Sequence, residues 1–153
     1  MKIFSQNKKA YFNYAISEEI EAGIVLDGWE VKSIKAGGAS IKESFVKFHK
    51  GEVFLVQMHV AKWRQGGKEI VMDETRDRKL LLSRKQIEKF LLGQKRESYS
   101  VIPTKIYDNG RGLIKVSIGI GKGRKKYDKR AKLKEKDQKK DMDREMTGKG
   151  EKY

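Results

Sequence analysis

Tyr99-Ser-Val-Ile-Pro-Thr-Lys-Ile-Tyr107 and Leu113-Ile-Lys-Val-Ser-Ile-Gly-Ile120 flank the run Asp108-Asn-Gly-Arg-Gly112. Both flanks are rich in β-branched and aromatic residues, and the run between them holds the Asp, Asn and Gly that close tight turns. The reading is two antiparallel strands joined by a turn. Pro103, the only proline, cannot donate to a ladder, so it marks an edge or a bulge in the first strand.

Outward from this pair, Tyr11 to Leu26 mixes aromatic and β-branched residues with charges and reads as one long, bent strand, with Gly23 as a bulge or close-packing point. Phe45–His49 and Val53–Val60 flank Lys50-Gly51, a hairpin signal. Two short helices are announced by capping boxes. Asp27 with Glu30 opens one that stops at Gly37-Gly38, and Ser83 with Gln86 opens another that stops at Gly93. Five or six strands with short helices predict a mainly β protein, a closed antiparallel barrel of the oligonucleotide-binding (OB) type that manages its edges by closure. Composition also allows an SH3-like barrel or a twisted sheet with helices on one face.

Charge is the second signal. The 153 residues carry 36 Lys+Arg against 21 Asp+Glu, a formal net charge of +15. Lys122 to Tyr153 holds 14 of the cations and 7 of the anions, with apolar residues only at Tyr127, Ala131, Leu133, Met142, Met146 and Tyr153. Such a stretch cannot bury a core. The expected organisation is a domain over 1–121 and a basic tail over 122–153, disordered when free. The chain has no cysteine, which excludes disulfides, thiolate metal sites and cysteine nucleophiles. The N-terminal stretch Met1-Lys-Ile-Phe-Ser-Gln-Asn-Lys-Lys9 lacks an apolar signal region, and no run reaches the roughly 20 apolar residues of a membrane span. A cytoplasmic protein with a polyanionic partner, and no membrane, is expected.

Catalytic and metal readings find little support. His49 and His59 lie on one hairpin without a carboxylate at ligand spacing. Glu19 and Glu21 share a strand face while Glu18 points away, and no nucleophile accompanies them. Gly119-Ile-Gly-Lys-Gly123 lacks the spacing and hydroxyl of a phosphate loop and reads as a hinge into the tail. No enzyme activity and no cofactor are expected. Cations beside apolar and aromatic residues are the pattern that remains: Lys8 and Lys9 before Tyr11 and Phe12, Arg76, Arg78 and Lys79 before Leu80-Leu-Leu82, and Lys122, Arg124, Lys125 and Lys126 before Tyr127. Cations neutralise phosphates and aromatics stack on unpaired bases, so nucleic acid is the expected ligand.

Five words then occur in order: Asn7-Lys-Lys-Ala10, Glu21-Ala-Gly-Ile24, Gly28-Trp-Glu-Val-Lys-Ser33, Thr75-Arg-Asp-Arg-Lys-Leu-Leu-Leu82 and Gly121-Lys-Gly-Arg-Lys-Lys-Tyr-Asp-Lys-Arg130. Together they closely resemble the SsrA-binding protein (SmpB) family, the partners of transfer-messenger RNA. The resemblance implies a bacterial, non-enzymatic protein whose barrel grips the tRNA-like domain of that RNA. It further implies entry into a stalled ribosome with elongation factor Tu and GTP, the protein reaching the decoding centre and its tail folding as a helix along the mRNA channel of the small subunit.

Carried over residue by residue, the resemblance assigns RNA contact to Asn7, Lys8, Glu21, Leu81, Lys122 and Arg124. Arg78 and Lys79 join them from the basic-patch reading. Asp128-Lys129-Arg130 matches the tail signature for engaging the ribosome, and Met146 matches a hydrophobic tail position, although its neighbour Glu145 replaces an apolar residue of some relatives. Phe12 stands where many members carry His, which keeps stacking and removes hydrogen bonding, and Glu74 stands in place of a usual Pro. Physically, a carboxylate at Glu21 accepts from base amino groups or orients a neighbouring lysine. Alternation sets Leu81 on the face opposite Leu80 and Leu82.

Overall fold

The computed structural model describes residues 2–64, 70–96 and 99–124. The predicted central hairpin is present: β8 (Tyr99–Asp108) and β9 (Ile114–Gly123) pair antiparallel, Asp108 opposite Ile114. Its turn is built from side chains. Asp108 Oδ1 accepts from the amides of Gly110 (2.7 Å) and Gly112 (3.1 Å), both at positive φ, and Asn109 Oδ1 accepts from Arg111 (2.9 Å). Two residues, Pro103 and Lys105, bound a register shift that leaves Thr104 as the extra residue, so the proline sits at a bulge.

β2 (Tyr14–Ile24) lies along β9 over nearly its whole length. It starts later than the expected Tyr11, because Lys8–Asn13 forms a short helix, α1. Those residues (Lys-Lys-Ala-Tyr-Phe-Asn) contain no β-branched side chain to favour an extended backbone. The strand's bulge is at Ser17, while Gly23 stays in register, opposite both Lys115 and Leu81. Gly23 is a close-packing point, since a Cβ there would lie 3.1 Å from Leu81 Cβ.

β1 (Lys2–Gln6) adds outside β8. β7 (Arg78–Leu81), β5 (Glu52–Val56) and β4 (Phe45–His49) follow on the other side, giving the order β1-β8-β9-β2-β7-β5-β4, with every pairing antiparallel. Lys50 and Gly51 both take positive φ (49° and 77°), as the expected two-residue hairpin requires. The Val53–Val60 strand is broken at Gln57 (φ 64°), after which β6 (His59–Val60) pairs with β3 (Ala39–Ser40) in a separate ribbon. Barrel closure differs from expectation: among the described residues, no ladder joins β1 to β4, and the sheet keeps both edges. Beside β1 a side chain takes the place of a ladder, with Ser5 Oγ accepting from the Ile41 amide at 3.2 Å.

Helix α2 (Gly28–Lys35) has the expected capping box and ends with Gly37 at φ 92°, its amide and that of Gly38 bonded to Ile34 and Ser33 carbonyls. Helix α3 (Arg84–Lys95) has the Ser83–Gln86 box but runs through Gly93, which packs against Ile120 instead of ending the helix. Trp29, Ile34, Leu55, Leu80, Phe90, Ile106, Val116 and Ile118 fill the core.

Inside this core lies an ion cluster. Glu30 and Arg78 are both fully buried and Arg76 mostly so. Glu30 Oε1 accepts from the Asp27 amide (2.7 Å) and from Arg76 Nη2 (2.5 Å), while Oε2 accepts from Arg78 Nε (2.5 Å). Arg78 then donates to the carbonyls of Met58 (2.6 Å), Glu74 (3.2 Å) and Arg76 (3.3 Å). Burial pushes the Glu30 carboxyl up, but the hydrogen bonds from Arg76, the Asp27 amide and Arg78 more than offset this and hold it below its ordinary value.

Glu30→Gln leaves Arg78 buried without its counter-charge and should cost about 3–5 kcal/mol in urea unfolding. A depressed carboxylate stabilises the fold above its unfolded-state value of 4.5 and loses that contribution as pH falls below it. Wild type should therefore lose stability below about pH 4.5, with a flatter acid limb in Glu30→Gln. Leu80, 2% exposed, and Leu81, 53% exposed, separate cleanly. Leu80→Ala should cost about 2–5 kcal/mol and Leu81→Ala less than about 0.5 kcal/mol by the same measurement.

Candidate nucleic-acid interface

The pleat divides the β8-β9-β2-β7 sheet into a core face and an outer face. On β9, Val116, Ile118 and Ile120 point to the core, and Lys115, Ser117, Gly119 and Gly121 to the outside. Opposite the latter on β2 stand Gly23, Glu21, Glu19 and Ile16. The glycines expected to form a hinge are instead strand residues, and two of them are in tight packing: a Cβ on Gly119 would lie 2.9 Å from Ile16 Cγ2, and one on Gly121 would lie 3.1 Å from Tyr14 Cβ. The small residues of β9 leave a furrow across which side chains of the flanking strands meet.

Two carboxylates lie in that furrow. Glu19 Oε1 accepts from the hydroxyls of Tyr11 (2.6 Å), Thr104 (2.8 Å) and Ser117 (3.3 Å). Glu21 Oε1 accepts from the Tyr107 hydroxyl at 2.6 Å. Burial pushes the Glu19 carboxyl up, yet the three hydroxyls and nearby Lys105 more than offset it and hold Glu19 below its ordinary range. Burial, reinforced by Glu21 and Glu19, raises Tyr107, so its hydroxyl stays protonated as a donor. Lys105 sits over the Tyr107 ring, 5.4 Å from its centroid.

Next along the face, Leu81 stands opposite Gly23, exposed, and Lys79 on the same strand is exposed as well, 3.4 Å from Glu52. The outer face thus brings together an anchored acidic pair, an exposed apolar side chain and the cations Lys79, Lys105 and Lys115. An ionised carboxylate offers only acceptors, so it selects amino and imino groups, while lysines attract phosphate. The combination suits a folded nucleic acid with an accessible base.

The expected site residues divide accordingly. Glu21, Leu81 and Lys79 share the outer face. Lys8 is exposed in the first turn of α1, and Phe12 is half-buried on the same helix. Lys122 is exposed at the end of β9, on the core-face side of the pleat, and Arg124 follows the strand. Asn7 is buried, its amide bonded to Thr104 O (2.7 Å) and its Nδ2 to Pro103 O (3.3 Å), so it pins α1 to the β8 bulge. Arg78 is the clear correction: with every nitrogen of its guanidinium bonded inside the core, it has no surface to offer a ligand. Asp128, Lys129, Arg130 and Met146 lie outside the described residues.

Glu18 points away from Glu19 and Glu21, as alternation requires, and pairs with Lys89 of α3. His59 is bonded to Glu74 at 2.8 Å on the surface. Thr104, Tyr107 and Ser117 were not legible as site residues, and Tyr11 was legible only as an aromatic beside two lysines. Each is an ordinary strand or helix residue until the register of three strands brings it to a carboxylate.

A family model described as SmpB protein matches residues 4–148. An SsrA-binding protein from Bacillus pumilus is 53% identical over 143 residues, covering 94% of this chain and 90% of the relative. One from Fervidobacterium nodosum is 49% identical over 137 residues, covering 90% and 91%. A solved chain described as "tmRNA-SmpB: a journey to the center of the bacterial ribosome" superimposes with a TM-score of 0.64 at 37% identity, over 79% of this chain and 84% of its own. With a model matched over most of its length and relatives at about half identity, the chain belongs to the SmpB protein family.

Proposed function

We propose that this protein binds the tRNA-like domain of transfer-messenger RNA through its outer sheet face and brings that RNA to stalled ribosomes for rescue by trans-translation. The observation that carries the reading is the furrow beside Leu81: an anchored acidic pair, an exposed leucine and lysines on one face of a chain of net charge +15. Membership of the SmpB family and likeness to a solved tmRNA-SmpB chain support the same partner.

In this reading the lysines, with Lys8, Lys122 and Arg124, neutralise phosphates, Leu81 packs on an unstacked base, and Glu21 accepts from a base amino group. The open antiparallel sheet serves as the binding platform, and the protein works in the cytoplasm as a binding protein without catalysis of its own. The basic segment that follows β9 forms the tail, which engages the decoding centre and mRNA channel through Asp128, Lys129, Arg130 and Met146, with Phe12 as a further stacking surface on the ribosome. Elongation factor Tu with GTP carries the complex in.

Glu21→Ala makes the protein more positive, so phosphate attraction alone predicts equal or tighter binding. The proposed base contact predicts the reverse, a loss of about tenfold or more, roughly 1.4 kcal/mol, in titrations of the tRNA-like domain at fixed salt. Binding unchanged or improved would refute it. Replacing Asp128, Lys129 and Arg130 together by Ala removes only one net positive charge and should change RNA affinity less than about tenfold. Peptide tagging on ribosomes stalled at the end of a truncated message should nevertheless collapse. Normal tagging would refute the tail's role, and an equal loss of both activities would make the tail part of the RNA grip.

A further inference from the structure

The Glu21 carboxylate is exposed on a strand and carried by a flexible side chain, yet it does not lie free. Tyr107, two strands away on β8, reaches diagonally across β9 to donate its hydroxyl to Glu21 Oε1 at 2.6 Å. The reach is possible because the β9 residue directly opposite Glu21 is Ser117, small enough to leave the furrow open. Tyr107 is itself only 7% exposed and is paired in the ladder with Ile3 on one side and Lys115 on the other, so its ring is a fixed support. Glu21 Oε2 has no protein partner among the described residues.

We propose that Tyr107 is a positioning residue for nucleic-acid recognition: it locks Glu21 so that Oε2 is presented outward as an acceptor for an amino group of an unpaired base. The inference rests on the RNA-binding reading above and adds what gives that site its selectivity. A carboxylate held by one oxygen retains the acceptor capacity of the other, and loses the rotamer freedom that binding would otherwise have to remove. Acceptor-only chemistry selects the donors of a base edge, an exocyclic amino group above all, and rejects an edge position that offers a carbonyl. Burial of the tyrosine, which raises its ionisation range, keeps the proton on the donor side. Thr104 and Ser117 hold neighbouring Glu19 in the same way, so both carboxylates stand on hydroxyl supports from β8 and β9.

The test uses the full-length protein with Tyr107→Phe, which keeps the ring under Lys105 and removes only the hydroxyl. Affinity for the tRNA-like domain should fall three- to tenfold, with an unchanged slope of log affinity against log salt, because no phosphate contact is lost. In a Glu21→Gln background the same substitution should cost less than twofold, since the carboxylate it positions is gone. Binding is measured well below the unfolding midpoint of each variant, so a modest loss of stability does not mimic the effect, and a general structural defect would persist in the Glu21→Gln background. Wild-type affinity in Tyr107→Phe, or an equal loss with and without the Glu21 carboxylate, overturns the inference. If Glu21→Ala itself leaves affinity unchanged, the RNA-binding reading of this face fails first. If Glu21→Ala weakens binding and Tyr107→Phe does not, only the positioning role fails.

Discussion

A carboxylate and two guanidinium groups, Glu30 with Arg76 and Arg78, are the constraint on which the rest of the molecule hangs. Charges are expensive to bury, and the arrangement is tolerable only because nearly every donor and acceptor is matched. Glu30 closes the N-terminus of α2 while it holds both arginines. Arg78 binds the carbonyls of Met58 and Glu74, tying β7 to the turn after β5 and to the segment that leads into β7 itself. The cluster therefore fixes where β7 enters the sheet, and Leu81 with it. An exposed leucine can serve as a contact surface only if its strand cannot slide, because a one-residue slip would exchange Leu81 with Leu80.

The outer face follows from that anchoring and from the composition of β9. Strand residues buried on both faces are usually large and apolar, yet β9 shows Ser117, Gly119 and Gly121 outward, and the hydroxyls of Thr104 and Tyr107 reach across it from β8 to Glu19 and Glu21, with Tyr11 of α1 also donating to Glu19. Two acidic groups on a strongly basic protein would be an obstacle to RNA if they were loose. Held by hydroxyl donors, they become fixed acceptors set among lysines. In the proposed reading, attraction comes from the cations and discrimination from the carboxylates, a division of labour that lets a face bind tightly without binding every RNA alike.

What was legible in the residues was local. The Asp108–Gly112 turn, the Lys50-Gly51 hairpin, both capping boxes and the alternation of Glu19 with Glu21 all depend on neighbours within a few positions, and all are present. Closure of the barrel depends on whether two five-residue edges meet, which periodicity does not encode, and the sheet stays open between β1 and β4. Gly93 and Gly119 were read through backbone freedom, as a stop and a hinge, when their role is to admit Ile120 and Ile16 at close range. Arg78 shows the same limit in chemical form. In a run of cations before three leucines it reads as a phosphate contact, and only its partner 48 residues earlier makes it a core residue. The Tyr107 support for Glu21, 86 residues apart in sequence, was out of reach for the same reason.

The most direct test of the account is a titration of the isotopically labelled full-length protein with the tRNA-like domain of transfer-messenger RNA, followed by backbone amide chemical shifts and line widths. The earliest and largest changes should fall on Glu19, Glu21, Gly23, Lys79, Leu81 and Lys105, and the exposed side of α3 around Lys85 and Leu92 should be spared. Changes centred on α3 with the β2–β7 face unperturbed would contradict this reading.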